Sequence, residues 1–464
     1  MADGARSCRY FHDVRVPRAW RASLLADFPA LAGLDSRPML RLVGSLLLEI
    51  GTFPDDLYPD RLVVTRDLLV WCAGRSPKHH GWTGAPLLES LAAVFPITFR
   101  EHRYADHLAR TVTIQAAVAK RYGRFGVSDT WVNLATGNVW THRDDDAVRR
   151  AREQARNDFT GQFKLHPAFP VLQIMNAVPD RLFAPSTEGI AEVRRLLASL
   201  DQDSRHVDVT LRCLKRLEYG PPVAPLYRPS RSGNTARIFG GSHPALTIAS
   251  RYRRLIWGRM IDVDLDSAQA GIVAKLWGIP SLMTLLQSGQ SLWGILCDDL
   301  QTTDKAAIKT GFYATVFGAL VDEGFLHDQA IMKDEMEEQF LAHPLIRSVI
   351  EARDASAERV RLDGYVVDAF GKRKRYRSWV PGHGPNHRML QAWQAQSYEL
   401  ALMLPILDVI ASRSDVQVVL WQHDGAGILI RRAKDLPAII NALAAAVAAK
   451  AQVLGIPTRL TAKG

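Results

Sequence analysis

Six residues, Ile261-Asp262-Val263-Asp264-Leu265-Asp266, alternate apolar and acidic side chains. On a strand, successive side chains point to opposite faces, so the apolar groups share one face and the aspartates the other. Three carboxylates on one face repel each other unless cations, water or basic groups compensate. The pattern has two readings, a solvated edge strand guarded by acids or one half of a cation site. Asp424 supplies the other half, set in Trp421-Gln422-His423-Asp424-Gly425 between β-prone runs at 416–421 and 428–430. Two strand-borne aspartates from distant parts of a chain are what a Mg²⁺ site for phosphoryl transfer needs. Magnesium takes few carboxylates and keeps waters and substrate phosphates as its other ligands.

A helical stripe adds cations and rings. Lys305, Lys309, Tyr313 and Phe317 recur every four residues, and Ile308, Phe312, Val316 and Leu320 form an apolar face beside them. Two cations followed by two aromatics suit a nucleotide, phosphates at one end and sugar or base at the other. A surface helix with solvated lysines and core aromatics carries the same pattern.

In this order, the elements resemble the palm and fingers of family A DNA polymerases, the DNA polymerase I type. The resemblance runs from about Thr235 to the C-terminus. Asp264-Leu265-Asp266-Ser267-Ala268-Gln269, ending in Ile272-Val273-Ala274, is similar to the family's motif A. Lys305-x3-Lys309-x3-Tyr313-x3-Phe317-Gly318 resembles motif B, the fingers helix, and Gln422-His423-Asp424 resembles motif C. Thr235-Ala236-Arg237 is similar to the Thr-Gly-Arg before motif A. Gly364-Tyr365-Val366 with Phe370-Gly371-Lys372-Arg373-Lys374 resembles the hairpin before motif C. Arg388 and Gln396 sit where the family reads the template–primer minor groove, and Ile456-Pro457-Thr458-Arg459-Leu460 is similar to its last palm strand.

The resemblance implies an α+β right hand: an N-terminal region at 1–231 that is mostly helical and includes the thumb, palm at 232–281 and 363–464, and fingers at 282–362. It implies DNA-directed DNA synthesis by a two-metal mechanism, with two Mg²⁺ ions held by Asp264, Asp424 and the Leu265 carbonyl. Lys305 and Lys309 would bind the triphosphate, and Lys309 would protonate the leaving group. Tyr313 would pack on sugar and base, Phe317 near the templating base, and His423 at the primer end. Arg237, Arg388 and Gln396 would contact the minor groove, and Lys372 and Arg373 the phosphates. Primer–template and nucleoside triphosphates are the implied partners, other replication proteins further ones, and the chain a monomer.

The chain also departs from the family. Gly425 follows the motif C aspartate where family A DNA polymerases carry Glu, and Gly425-Ala426-Gly427 is closer to the Ser-Phe-Gly of single-subunit RNA polymerases. Gln269 replaces the Glu that excludes a ribose 2′-hydroxyl, and Phe317 replaces a Tyr. A small RNA polymerase or primase on the same palm is therefore an alternative, as is a decayed polymerase that only binds nucleic acid. No carboxylate cluster of a proofreading exonuclease is evident before residue 230. Asp144-Asp145-Asp146 precedes Arg149, Arg150, Arg152 and Arg156 and reads as a helix N-terminus with favourable dipole charges. His79-His80 beside Trp82 lacks the companions of a zinc site.

The elements that must position these groups alternate. Helical spacing at 40–50 and 190–200 and a hairpin around Thr136-Gly137-Asn138 lie in the first half. A proline-rich break at 218–233, with Pro221, Pro222, Pro225 and Pro229, reads as a linker or crossing loop. Beyond it come a strand at 261–265, helices at 304–321 and 332–343, a hairpin at 364–379, one long helix at 386–410, and an Ala-rich helix at 438–453. Strands and helices intermix in an α+β pattern.

The 464 residues are 47% hydrophobic and 23% charged, which excludes a disordered or collagen-like chain. Lys plus Arg exceed Asp plus Glu by 58 to 48, a net +10 that suits a polyanionic partner. Cys8, Cys72, Cys213 and Cys297 are scattered without a Cys-x-x-Cys pair, against a zinc ribbon or disulfide scaffold and in keeping with a reducing cytoplasm. Charges alternate with apolar residues from Arg6 to Arg21, unlike a secretory signal. The best uninterrupted apolar run, at 400–407, is shorter than the roughly 18 residues that span a bilayer. A soluble cytoplasmic protein without a membrane partner is the expectation.

Overall fold

The computed structural model describes 15–32, 37–49, 61–63, 85–100, 111–115, 131–134, 137–139, 156–200, 205–219, 222–230, 235–241, 243–258, 260–317, 331–332, 334–378 and 386–463, with single or paired positions at 69, 72, 117–118, 121, 150, 153–154 and 326. Asp144-Asp145-Asp146, Arg149, Arg152, His79-His80, Trp82, Cys8, Thr136, Gly318 and Leu320 lie outside the described residues. The chain divides into two compact units, one of residues 1–164, 173–226 and 240–258, the other of 165–172, 227–239 and 259–464.

In the first unit, strand β1 (Arg15–Pro17) leads into helix α1 (Arg18–Asp27), followed by α2 (Arg37–Glu49). Strand β2 (Arg61–Val63) comes next, then α3 (Ala85–Ala92), β3 (Ile97–Arg100), β4 (Thr111–Ile114) and β5 (Trp131–Asn133). A three-stranded sheet has the order β2-β4-β3, and β5 pairs with β1. The described residues of this region are mostly helical, and these five short strands lie among the helices where the sequence marks only the hairpin at 131–140. Val132 also bridges Val139 across Gly137, as the expected hairpin requires. Trp20, Leu24, Leu42, Leu46, Leu88, Phe95 and Val112 share one core. Helices α4 (Thr187–Ala198), α5 (Arg205–Tyr219) and α6 (Ser250–Trp257) complete the unit. Gly189 lets α4 meet α6, because a Cβ there would lie 2.2 Å from the Leu255 carbonyl oxygen. Arg156 and Asp180 form a buried ion pair at 2.9 Å.

In the second unit, β6 (Arg228–Pro229), which lies within the proline-rich break, pairs with β7 (Ile238–Phe239). The acidic alternation becomes β8 (Met260–Leu265), and Ser267 in a left-handed conformation (φ 51°) turns the chain into α7 (Ala268–Trp277). Helix α8 (Lys305–Phe317) carries the cation-and-ring stripe, and its Ile308, Phe312 and Val316 face a core shared with Trp277 and Trp293. Helix α9 (Pro344–Asp363) leads to the hairpin of β9 (Tyr365–Val367) and β10 (Arg373–Arg375). The single helix expected at 386–410 is two, α10 (His387–Met403) and α11 (Pro405–Ala411). Pro405 has no N–H to continue the first helix and begins the second, where a missing donor is harmless.

Strands β11 (Val416–Gln422) and β12 (Gly425–Ile430), helix α12 (Leu436–Leu454) and β13 (Leu460–Lys463) close the chain. The sheet order is β11-β12-β8-β13, every neighbouring pair antiparallel. Strand β8 is therefore interior, which corrects the edge-strand reading. The edge strand β11 is steadied by Tyr227, whose hydroxyl accepts from the Trp421 N–H at 2.8 Å and donates to its carbonyl at 3.1 Å. By length and composition α12, with mean hydropathy 1.5, is long and apolar enough to cross a membrane. That corrects the expectation drawn from uninterrupted apolar runs, although Ile439, Leu443, Val447 and Ala451 form a buried stripe along this helix.

Candidate active site at the end of the four-stranded sheet

Strand pairing brings the two aspartates together. Asp264 lies opposite Gly425 in the β8–β12 register, and the Leu265 N–H donates to the Asp424 carbonyl at 2.8 Å. Burial then separates the three acids on and just after β8: Asp262 is 5% exposed, Asp264 half-buried, and Asp266 exposed beside Arg459 at 3.5 Å. Of the three, Asp264 is both beside Asp424 and open to solvent on one side.

Gly425 makes this approach feasible. A Cβ there would sit 2.6 Å from the Val263 carbonyl oxygen and 2.8 Å from Asp264 Oδ1. Its lack of a side chain, which stands out against the polymerase pattern, leaves room for the Asp264 carboxylate.

Two like charges at one sheet end demand cations. Burial, then the charge of Asp424, raises the Asp264 pKa, while Lys463 and Lys309 oppose the rise. The Lys463 ammonium donates to Asp264 Oδ2. Lys309, exposed on α8, lies 5.8 Å from the Trp293 ring centroid and 6.0 Å from that of Tyr313. Tyr313 is raised well above an ordinary phenol, by burial first and then by Asp424, Glu399, Asp264 and Asp266. Its hydroxyl stays protonated beside these carboxylates.

Glu399 is the residue that reasoning from sequence missed. It is 1% exposed on α10. Its oxygens accept from Arg237 Nε at 3.0 Å and Arg237 Nη2 at 2.9 Å, and Gln269 Nε2 donates to the same carboxylate. Burial outweighs Arg237 and pushes its pKa up to about 7. A signal existed: Glu399 is three residues from Gln396 and eleven from Arg388, which places all three on one helix face.

The remaining expected residues scatter around this cluster. The Thr235 hydroxyl donates to Gln396 Oε1 and accepts from the Arg237 N–H at 3.0 Å, so Gln396 is tied to the segment that carries Arg237. His423 meets Phe239 edge-on at 5.2 Å, and burial followed by the Arg237 charge lowers its pKa to about 4. It is neutral near pH 7. Lys305 is exposed one turn before Lys309, Phe317 packs partly into the helical core, and Arg388 is half-buried in the first turn of α10. Lys372 and Arg373 occupy the exposed β9–β10 hairpin, whose turn is held by buried Asp368 accepting from the Phe370 and Lys372 N–H groups at 2.9 and 2.7 Å. The Arg373 guanidinium stacks 4.9 Å from the Tyr365 ring centroid.

The donor set at the sheet end suits a hard divalent cation. It offers carboxylate oxygens only, it already attracts an ammonium, and among the described residues no third His, Cys, Asp or Glu closes a cage. That leaves the remaining positions of a magnesium ion to water and phosphate.

No family model matches the chain, and no curated protein matches it. Among solved structures it is similar to the POL domain of Pol1 from M. smegmatis in complex with DNA primer-template and dNTP. The identity is 11% and the TM-score 0.46, over 71% of this chain and 74% of that one. The likeness is distant, and the site stands on its own geometry.

Proposed function

We propose that this chain is a template-directed nucleotidyltransferase of the family A polymerase type, a DNA-directed DNA polymerase without a proofreading exonuclease. The observation that carries the reading is the juxtaposition of Asp264 on β8 with Asp424 in the turn just before β12, within electrostatic reach of Lys309 and Tyr313 of one helix. On this reading 232–281 and 363–464 are palm, 282–362 fingers, and 1–231 includes the thumb. The scattered cysteines keep a cytoplasmic setting part of the proposal.

Asp264, Asp424 and the Leu265 carbonyl would hold two Mg²⁺, which supply acidification of a primer 3′-hydroxyl and neutralisation of the triphosphate. Lys305 and Lys309 bind the triphosphate, and Lys309 passes its proton to the leaving pyrophosphate. Tyr313 packs on the nucleotide sugar and keeps its hydroxyl proton, and Phe317 lies near the templating base. Neutral His423 meets the primer end, where it leaves a buried ring nitrogen, Nδ1, without a protein partner. Arg237, Arg388 and Gln396 read the minor groove, with the Arg237 fork aimed by Glu399. Lys372 and Arg373 hold backbone phosphate.

A second reading, an RNA polymerase or primase on the same palm, is favoured by Gln269, which lacks the charge of the family's gate. The test is primer extension with dNTPs and NTPs side by side, using wild type, Asp264→Asn and Asp424→Asn. The expected result is dNTP extension that either substitution abolishes while primer–template binding, steeply salt-dependent, persists. Equal or better use of NTPs selects the second reading. Salt-sensitive binding without any extension would leave only a nucleic-acid-binding accessory.

A further inference from the structure

Lys463 stands on the far side of β8 from Asp424. In the β8–β13 register Thr461 faces Asp264 and Lys463 faces Asp262. Side chains two apart on a strand share a face, so Lys463 and Thr461 rise on the face that carries the acids of β8. From there the Lys463 ammonium reaches back to Asp264 Oδ2. The Thr461 hydroxyl donates to the Asp264 carbonyl at 3.3 Å, which ties the same stretch of β13 to the same residue. Asp264 thus has an anion, Asp424, on its β12 side and a cation on its β13 side.

A carboxylate oxygen engaged by an ammonium is shared with a metal only after that bond loosens, and an ammonium a few ångströms away repels a divalent ion. The pair is also displaceable. The Lys463 side chain is 51% exposed and Asp264 20%, so the ammonium has water to move into.

We infer that Lys463 is a resident counter-ion that competes with a divalent metal for the Asp264 carboxylate, so that it holds down the metal affinity of the site. The inference rests on the metal site proposed above and adds a residue from the C-terminal strand to it. It makes Lys463 a positioning residue that acts through Asp264.

Mn²⁺ binding to the full chain, without nucleotide or nucleic acid, tests it by the electron paramagnetic resonance signal of the free ion. Wild type, Lys463→Met, Lys463→Gln, Lys463→Arg and Asp264→Asn are compared. Both neutral variants should bind Mn²⁺ about fivefold to tenfold more tightly than wild type, the range expected for removing one half-exposed charge near the ion. Lys463→Arg should stay near wild type, since it restores the charge. A merely structural lysine would not tighten binding when removed. If Asp264→Asn loses the site while the neutral variants bind no more tightly than wild type, the competition is refuted and the metal site survives. If Asp264→Asn keeps the site, the metal assignment itself falls, and this inference with it.

Discussion

The Arg237 guanidinium bonds both oxygens of Glu399, and that carboxylate is 1% exposed. A residue just before β7 is thereby aimed by one in the middle of α10, and Gln269 of α7 joins them through its amide. Three elements that each carry an expected nucleic-acid or nucleotide contact thus converge on one buried acid.

The pH dependence of stability should report this acid. Burial raises its pKa from 4.5 to about 7. Between those values the folded chain holds more protons than the unfolded one, so stability falls as pH rises through that window. At about 1.4 kcal/mol per pKa unit, wild type should lose about 3 kcal/mol relative to Glu399→Gln between about pH 5 and about pH 8. Chemical denaturation of both proteins at the two pH values measures the difference, and parallel curves would contradict the shift.

Gly425→Ala should damage the site and the sheet together. The new methyl would lie 2.6 Å from a backbone oxygen of Val263, which cannot swing aside. Strand β12 must shift, at about 1–3 kcal/mol for overpacking. The Asp264 carboxylate must also leave its place, so Mn²⁺ affinity should fall along with the denaturation midpoint.

Gln269 sets the expectation for sugar choice. It is nearly the volume of the Glu it replaces, and its bond to Glu399 holds it in one place. Phe317 offers no hydroxyl to a ribose, and an unpaired buried hydroxyl costs about 1–3 kcal/mol, or one to two decades in preference for deoxynucleotides. On the proposed reading, kcat/KM ratios should show that preference, and Gln269→Ala should reduce it by about tenfold while primer–template affinity holds.

Tyr227→Phe tests the edge of the sheet without touching the site. Its hydroxyl serves both backbone groups of Trp421, three residues before Asp424. Removing it leaves a buried donor and acceptor unsatisfied, and thermal or chemical denaturation should show a loss of about 1–3 kcal/mol.

Much of this arrangement is local and was legible from residue order alone. Period-2 alternation marks β8, the Asp424-Gly425 turn separates β11 from β12, and four-residue spacing marks the stripe on α8. These follow from backbone periodicity, which every short stretch carries within itself. The break at Pro405 was equally legible and was overridden by the apolar periodicity on both sides of it.

What residue order left open, tertiary pairing decided. The three aspartates at 262, 264 and 266 are equivalent by alternation, and only the placement of β8 between β12 and β13 buries Asp262, leaves Asp266 exposed beyond the strand end and sets Asp264 beside Asp424. Gly425 reads as a lost carboxylate until the β8 backbone is packed against it. Glu399 in an apolar helix and Lys463 near the C-terminus look like ordinary solvated charges. Their partners lie 162 and 199 positions away, at Arg237 and Asp264. Periodicity assigns a side chain to a face, but the burial and charge that give it a chemical role come from whichever distant segment packs on that face.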